Sequence, residues 1–390
     1  MWTLLILSLC VLTTLAAKCT LKFDKGHPGI FVQKFGSNHV ILSVKDGEVS
    51  WDNRAKIEGY CPGEFRNYAR YGSDYQAHLT FSCTNSLDVR YQRDDNNGDI
   101  ARNDGTLSCT TTSKYYEVRI PTCNNKGLAY GFFIGTQAVV LAEVCYNLDL
   151  MQTQYLHYII GPRSPVVESQ STNGFVNVTQ SSADVFIDSS NLQDQTDSLD
   201  LAVSYAFVEY LDETLYKLDK LISPWKFWRA LHPYFNDFIS VNSIPWWKPL
   251  KYFNWGSLED AIVRISKNET YDVFAGTSGT VVYPSNDKCS DPYPITYKVE
   301  PHDRNIPLYV WNYIRKKDLT DDGVVVIGIN SPFFDSLSKE NIICEDICDN
   351  LPWFNQLHKR RKMPALGFLF CCKPGEVKDK LDGFPIIQNL

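Results

Sequence analysis

The chain has 390 residues, of which 44% are hydrophobic and 13% aromatic, with 12 Cys and a formal net charge of −7. That composition is too apolar and aromatic for a disordered protein, and the length suits one large domain or two smaller ones. Past the N-terminus no run of about 20 apolar residues predicts a membrane helix, and no repeat of roughly 20–50 residues points to a solenoid or propeller.

Residues 1–17 form an uncharged apolar run that closes on small residues, the pattern of a secretory signal peptide cut before Lys18 or Cys19. The run is short for a signal anchor. Secretion implies an oxidising compartment, in which most of the cysteines after Cys10 (19, 61, 83, 109, 123, 145, 289, 344, 348, 371 and 372) are expected to pair. Their number is odd, so at least one stays free or bonds another chain. Cys344-Glu-Asp-Ile-Cys348 and Cys371-Cys372 suggest a metal site, but a secreted chain without clustered His/Cys pairs favours disulfides.

Residues 18–118 are rich in Gly, Ser, Thr and Asn, carry four cysteines and the turn signals Asn97-Gly and Asp104-Gly, and include short alternating stretches such as His39-Val-Ile-Leu-Ser-Val44. They predict a small disulfide-stapled β-module. Within it, Asp24-Lys-Gly-His27-Pro28 reads as a turn. From 119 to 390 the pattern is that of a second, larger domain. Tyr130–Val140 and Val139–Cys145 predict strands, and Asn177-Val-Thr and Asn268-Glu-Thr are surface glycosylation sequons.

Residues 181–214 hold eight acidic residues and no Lys or Arg. Their Ser/Asp/Gln-rich part, 187–200, reads as a surface loop, and Leu201–Leu218 reads as helical. Tyr216–Lys251 inverts the charge: Lys217, Lys220, Lys226, Arg229, Lys248 and Lys251 stand against Asp219 and Asp237, six minus two for a net of +4. Nine aromatics are interleaved: Tyr216, Trp225, Phe227, Trp228, Tyr234, Phe235, Phe238, Trp246 and Trp247. Basic side chains neutralise phosphates and rings stack on bases; the plainer alternative is aromatic core with a solvated lysine rim. Asn254–Ser266 predicts an amphipathic helix, Val273–Val282 a glycine-punctuated strand pair and Gly323–Ile329 a buried strand. Arg315-Lys-Lys and Lys359-Arg-Arg-Lys add basic clusters.

Several segments carry a resemblance in the right order. Pro245-Trp-Trp-Lys-Pro-Leu-Lys-Tyr-Phe-Asn-Trp-Gly-Ser-Leu-Glu-Asp resembles the P-Q-W-x-x-F-N-x-G-N-W-x-x-L-E-D block of the DNA/RNA non-specific endonucleases. Ile306-Pro-Leu-Tyr-Val-Trp and Asn330-Ser-Pro-Phe resemble a later strand and the turn after it. Pro121-Thr-Cys and Glu143-Val-Cys look like early strands of that family, and the Cys344 and Cys371 motifs like the ending of its arthropod secreted members. The group it looks most like is the abundant nuclease-like proteins of tsetse-fly saliva, which are associated with tight DNA and RNA binding and little or no nuclease activity.

The resemblance implies an α+β chain with the ββα-metal fold. It also implies a site with a general-base His, an Asn holding one Mg²⁺ and a supporting Glu. Aligned on Pro245, that chemistry is missing. Asp219-Lys-Leu-Ile-Ser-Pro224 stands where R-G-H-L-S-P is expected, so Asp219 replaces Arg and Leu221 replaces His. Lys251 replaces the metal-binding Asn, and Glu259 is kept. Leucine accepts no proton, and an ammonium offers no lone pair to a metal. His27 and Asn254 are poorer placements for the missing His and Asn. His157, His232 and His302 have no motif around them.

The expected function is therefore a secreted, salivary-type protein that binds DNA and RNA through the phosphate backbone without sequence preference, with no catalytic residue and no cofactor. Lys217, Lys220, Lys226, Arg229, Lys248 and Lys251 would meet phosphates, and Trp225, Trp228 or Trp246 would stack on bases. One alternative is weak residual Mg²⁺-dependent hydrolysis, with Glu259 and Asp219 holding the ion. Another is a binder of some other host macromolecule or small ligand.

Overall fold

The structure, a computed structural model, describes residues 18–36, 38–67, 76–83, 89–92, 101–102, 106–110, 114–147, 152–162, 176–177, 201–202, 216–223, 226, 232–235, 238, 240–283, 293–299, 302–317, 323–333 and 341–385. The expected signal peptide 1–17, the expected loop 187–200, and Trp225, Trp228, Arg229 and Cys289 lie outside the described residues. The chain divides into two compact units at Thr111/Thr112. This precedes the boundary expected near 118, because Lys114–Glu117 already pairs into the second unit's sheet.

In the first unit, β1 (Lys18–Lys22) pairs with β4 (Glu48–Asp52). An antiparallel sheet runs in the order β3 (Asn38–Ile41), β2 (Ile30–Phe35), β5 (Ile57–Asn67), β6 (Gln76–Cys83), β7 (Val89–Gln92) and β8 (Ala101–Arg102), with β9 (Leu107–Cys109) also on β5. Alternation along β1 and β4 puts Cys19, Leu21, Val49 and Trp51 inside. They pack with Phe31, Phe65 and Phe81 into one core. Disulfides Cys19–Cys83 and Cys61–Cys109 staple this β-module. The amide of Gly26 donates to Asp24 Oδ1, so the segment holding His27 is an Asx turn.

The second unit is built on a nine-stranded antiparallel sheet. Its strands are β10 (Lys114–Glu117), β11 (Lys126–Ile134), β12 (Gln137–Asn147), β13 (Gln152–Ile160), β14 (Val176–Asn177), β18 (Tyr271–Ser278), β23 (Tyr309–Lys316), β24 (Val324–Ile329) and β25 (Phe368–Cys372). They lie in the order β14-β10-β11-β12-β13-β18-β23-β24-β25. The strands β15 (Leu201–Ala202), β16 (Tyr216–Lys220), β17 (Ser243–Trp247), β19 (Val282–Tyr283), β20 (Tyr293–Pro294), β21 (Thr296–Val299) and β22 (His302–Asn305) form three smaller sheets. Helix α1 (Gly256–Ile265) and the short α2 (Pro374–Val377) are the α-helices among the described residues. Sheet-rich, antiparallel and sparingly helical, the chain is consistent with an α+β class.

One face of the large sheet carries Tyr155, Phe274, Trp311, Tyr313, Val325, Ile327 and Phe370, covered by Val377, Leu381 and Phe384 after β25. Gly276 makes room there, since a Cβ at that position would lie 2.2 Å from the Trp311 ring. The other face receives Leu250, whose methyl carbons lie 3.2 Å from a Cβ built on Gly328. Gly367, with φ of +87°, turns against the backbone of the same leucine, a conformation and a closeness that exclude a larger residue.

Two expectations change. Leu201–Leu218 is not a helix at its described ends: Leu201–Ala202 pairs with β21 and Tyr216–Leu218 lies in β16. Val273–Val282 does hold two strands, the end of β18 and the start of β19 joined by a turn at Gly279 (φ +67°), but they pair with β13, β23 and β20 rather than with each other. In this unit the disulfides are Cys123–Cys145, Cys344–Cys372 and Cys348–Cys371. The adjacent Cys371 and Cys372 thus clamp the segment from Cys344 to Cys348 onto β25. Asp346, Cys348 and Cys371 are close enough to hold a metal ion. Both sulfurs are spent on each other, however, and Asp346 takes the guanidinium of the fully buried Arg361 at 2.5 Å. No helix among the described residues is long and apolar enough to cross a membrane.

A charge ladder crosses the sheet. His157 Nδ1 lies 2.7 Å from Glu143 and Nε2 lies 3.3 Å from Asp272, which also pairs with Arg315 at 3.3 Å. Burial opposes a charge on His157, but the bonds and fields of Asp272 and Glu143 prevail and raise its pKa. Burial likewise opposes ionisation of Asp272, yet His157 and Arg315 lower its pKa. The histidine's contribution is full below its unfolded value, about 6.5, and fades as pH rises through its folded value. The aspartate's is present above about 3.8 and fades as pH falls. His157→Gln should therefore destabilise the protein more at pH 6 than at pH 9, a difference that urea unfolding at the two values will read.

Candidate functional site

The signature residues meet on a hairpin and the helix that follows it. β16 pairs antiparallel with β17 from Tyr216↔Trp247 to Lys220↔Ser243. Asn242 then brackets the chain beyond β16. Its backbone carbonyl accepts from Leu221 N at 2.6 Å, its Oδ1 accepts from Ile222 N at 2.9 Å, and its Nδ2 donates to Ile222 O at 3.1 Å. Asn330 pins the far end of the hairpin, accepting from Trp247 N at 2.6 Å and donating to Pro245 O and Pro307 O. After β17 the backbone makes a π-helical turn, Leu250–Trp255, that runs directly into α1. A π-turn rotates the residues after it relative to an α-helix and recurs at functional sites.

Lys251, in this turn, is 5% exposed. Its Nζ donates to Lys220 O at 2.7 Å, lies 3.3 Å from Glu259 Oε1 and sits 4.6 Å from the centre of the Trp246 ring. Three N–H directions thus meet a carbonyl, a carboxylate and a π-face, which is how a buried ammonium is made tolerable. Glu259, 3% exposed, is equally occupied. Ser223 Oγ donates to its Oε1 at 2.7 Å, and Lys226 Nζ lies 3.2 Å from its Oε2. Lys226 also reaches Gly256 O and Asp260, both at 3.0 Å. Burial pulls the pKa of Lys226 down, but Glu259 and Asp260 outweigh it and the net shift is upward. For Lys220, burial dominates and the shift is downward, with Asp219 opposing and Lys251 adding to it.

Mg²⁺ takes oxygen donors in a near-octahedral shell. Here Glu259 is shared by two ammonium groups and a hydroxyl, so the donor set does not suit a divalent ion. Leu221 is 2% exposed and takes part through its backbone. Asp219 accepts from the amide of Lys220. Asn254 is turned elsewhere: its Nδ2 donates to Arg360 O and Gly367 O.

The expected phosphate contacts divide. Lys251 is buried and Lys226 is committed to two carboxylates, so neither is placed to meet a ligand phosphate; both serve the interior instead. Lys220 is half-buried, Lys217 is exposed and Lys248 half-buried. Trp246, expected as a stacking ring, is fully buried against Trp255, and Tyr216, Tyr234, Phe235, Phe238 and Trp247 are also core. Of the basic clusters, Arg315 and Lys316 pair with Asp272 and Glu269, and Arg361 with Asp346 and Asp349. Sequence reasoning passed over Tyr252 and Phe253, 55% and 46% exposed on the π-turn. No local signal singled them out, because their exposure follows from the burial of Lys251 just before them, which the sequence does not disclose. Asn268 is exposed just after α1; the side chain of Asn177, in β14, lies outside the described residues, as do those of His232 and His302.

No family model and no curated protein matches this chain.

Removing one member of a buried ion pair strands the other and costs about 3–5 kcal/mol. Lys251→Met should fall near the lower end, because Lys226 still faces Glu259. Adding Glu259→Gln to Lys251→Met should recover much of the loss. Urea unfolding of the single and double variants measures both.

Proposed function

We propose that the chain is a secreted DNA- and RNA-binding protein on a degenerate ββα-metal nuclease scaffold, without the hydrolytic centre. One observation carries this reading: the Lys251–Glu259 ion pair, at the position where the nuclease family that the sequence resembles would hold its metal-binding Asn. The hairpin β16–β17 leading into a helix that bears Glu259 supports the scaffold. The buried Leu221 supports the absence of a general base. The five disulfides among the described residues suit an oxidising compartment and hence secretion.

The binding surface then lies beside the old centre rather than in it. Lys217 and Lys248 supply phosphate contacts from β16 and the end of β17, and the exposed Tyr252 and Phe253 supply rings for unpaired bases. Affinity of this kind comes mainly from displaced counterions, so it is sequence-tolerant and salt-dependent.

Fluorescence anisotropy with single-stranded DNA and RNA tests this. Affinity should fall linearly on a log–log salt plot, and Lys217→Ala and Lys248→Ala should each reduce the slope by about 1. Tyr252→Ala with Phe253→Ala should cost about 1–3 kcal/mol per stacked base. Binding that ignores salt between about 50 and 200 mM would refute the reading, since several phosphate contacts lower affinity by orders of magnitude over that range.

A further inference from the structure

A pocket of about 460 Å³ opens in the second unit between the β12–β13 turn region, the start of β17, the end of β18 and β22. Its size is that of a small-molecule site, but its lining is mostly polar, where such sites are usually mostly apolar. Arg304 lines it, half-buried on β22 and directly opposite Tyr297 across the β21–β22 ladder. Its guanidinium hydrogen-bonds the phenols of Tyr297 and Tyr146, both buried. No carboxylate among the described residues forms an ion pair with it. Burial raises the pKa of both phenols, with Arg304 pulling against the rise. Both therefore remain O–H groups whose oxygens accept from the guanidinium while their protons can turn to a ligand. A partly desolvated, unneutralised guanidinium flanked by two hydroxyl donors is an anion-binding set.

Other polar groups line the same pocket. Asp382 Oδ2 is fixed by Ser278 Oγ at 3.0 Å and Gly279 N at 3.1 Å, and its other oxygen has no partner among the described residues. Gln154 Oε1 is held by Asn125 Nδ2 at 2.8 Å, which orients the amide nitrogen as a further donor. A bare anion would gain at Arg304 and be repelled by Asp382. A ligand with an anionic end and a hydroxyl-bearing end satisfies both. Among common small molecules that pattern is a phosphorylated sugar.

We infer that this pocket binds a phosphomonoester of a sugar or nucleoside, its phosphate on Arg304, Tyr146 and Tyr297 and its hydroxyls toward Asp382 and Gln154. The site does not depend on the nuclease-like reading and would stand if nucleic-acid binding failed.

Calorimetric titration of the full chain with AMP, ribose 5-phosphate, adenosine and inorganic phosphate decides it. AMP and ribose 5-phosphate should bind at one site. Adenosine and inorganic phosphate should each bind about tenfold more weakly or worse, as expected when one charge-assisted contact set is lost. Arg304→Met should weaken AMP by about tenfold or more, with Arg304→Lys intermediate. Asp382→Asn, on the exposed rim, should weaken AMP but not inorganic phosphate, which keeps the test decisive if Arg304→Met does not fold. Competition of AMP by a 5′-phosphorylated trinucleotide, and not by its 5′-hydroxyl form, would extend the same phosphate recognition to strand ends; AMP binding indifferent to both would confine it to free nucleotides. Adenosine binding as tightly as AMP, or AMP binding unchanged by Arg304→Met, would overturn the assignment.

Discussion

A single ammonium, that of Lys251, organises the interior where hairpin, π-turn and helix meet. It ties the end of β16, through Lys220 O, to the carboxylate of Glu259 on α1 and to the ring of Trp246 on β17. Ser223 and Lys226 complete the same carboxylate, so the chain after β16 and the first turns of α1 are closed around one charge network. A buried charge is costly alone and acceptable only when each of its hydrogen-bonding directions is met. Here they are met, so the buried charge is structurally complete.

Much of the remaining positive charge is used in a similar way. Arg361 is fully buried between Asp346 and Asp349, and Arg315 closes the ladder that holds His157 between Glu143 and Asp272. The net charge of −7 therefore leaves a surface whose cations are partly consumed by internal partners. That shifts the proposed nucleic-acid contacts away from the buried lysines and toward Lys217, Lys248 and the two exposed rings of the π-turn. It also gives Arg304, which meets the phenols of Tyr146 and Tyr297 and pairs with no carboxylate among the described residues, a chemically different standing.

Local pattern carried part of this architecture and topology hid the rest. The amphipathic stretch from Asn254 to Ser266 was legible because its own spacing fixes which side is buried, and the strand to Ile329 because a continuous apolar run marks burial on both faces. The pattern of Leu201–Leu218 suggests helix, yet its end at Tyr216–Leu218 is strand, because its reason to be extended is a partner at 243–247, beyond the reach of any local window. The depth of Lys251 was not legible, since lysine is among the residues least often buried; only the return of Lys220 O and Glu259 to one point explains it. The aromatics between Tyr216 and Trp247 suit either core or ligand by pattern, and for the described ones contacts such as Tyr130 with Phe238 and Trp246 with Trp255 decide for core. Disulfide partners could not be read from spacing at all.

The account stands on the claim that an ammonium occupies, and neutralises, the place where a metal-dependent nuclease would bind its ion. Titration of the full chain with Mn²⁺, followed by the loss of the free-ion electron paramagnetic resonance signal, tests it directly. The claim predicts that the wild type and Glu259→Gln retain the same small amount of ion, with no saturable site that depends on Glu259. One saturable Mn²⁺ per chain that disappears in Glu259→Gln would contradict it.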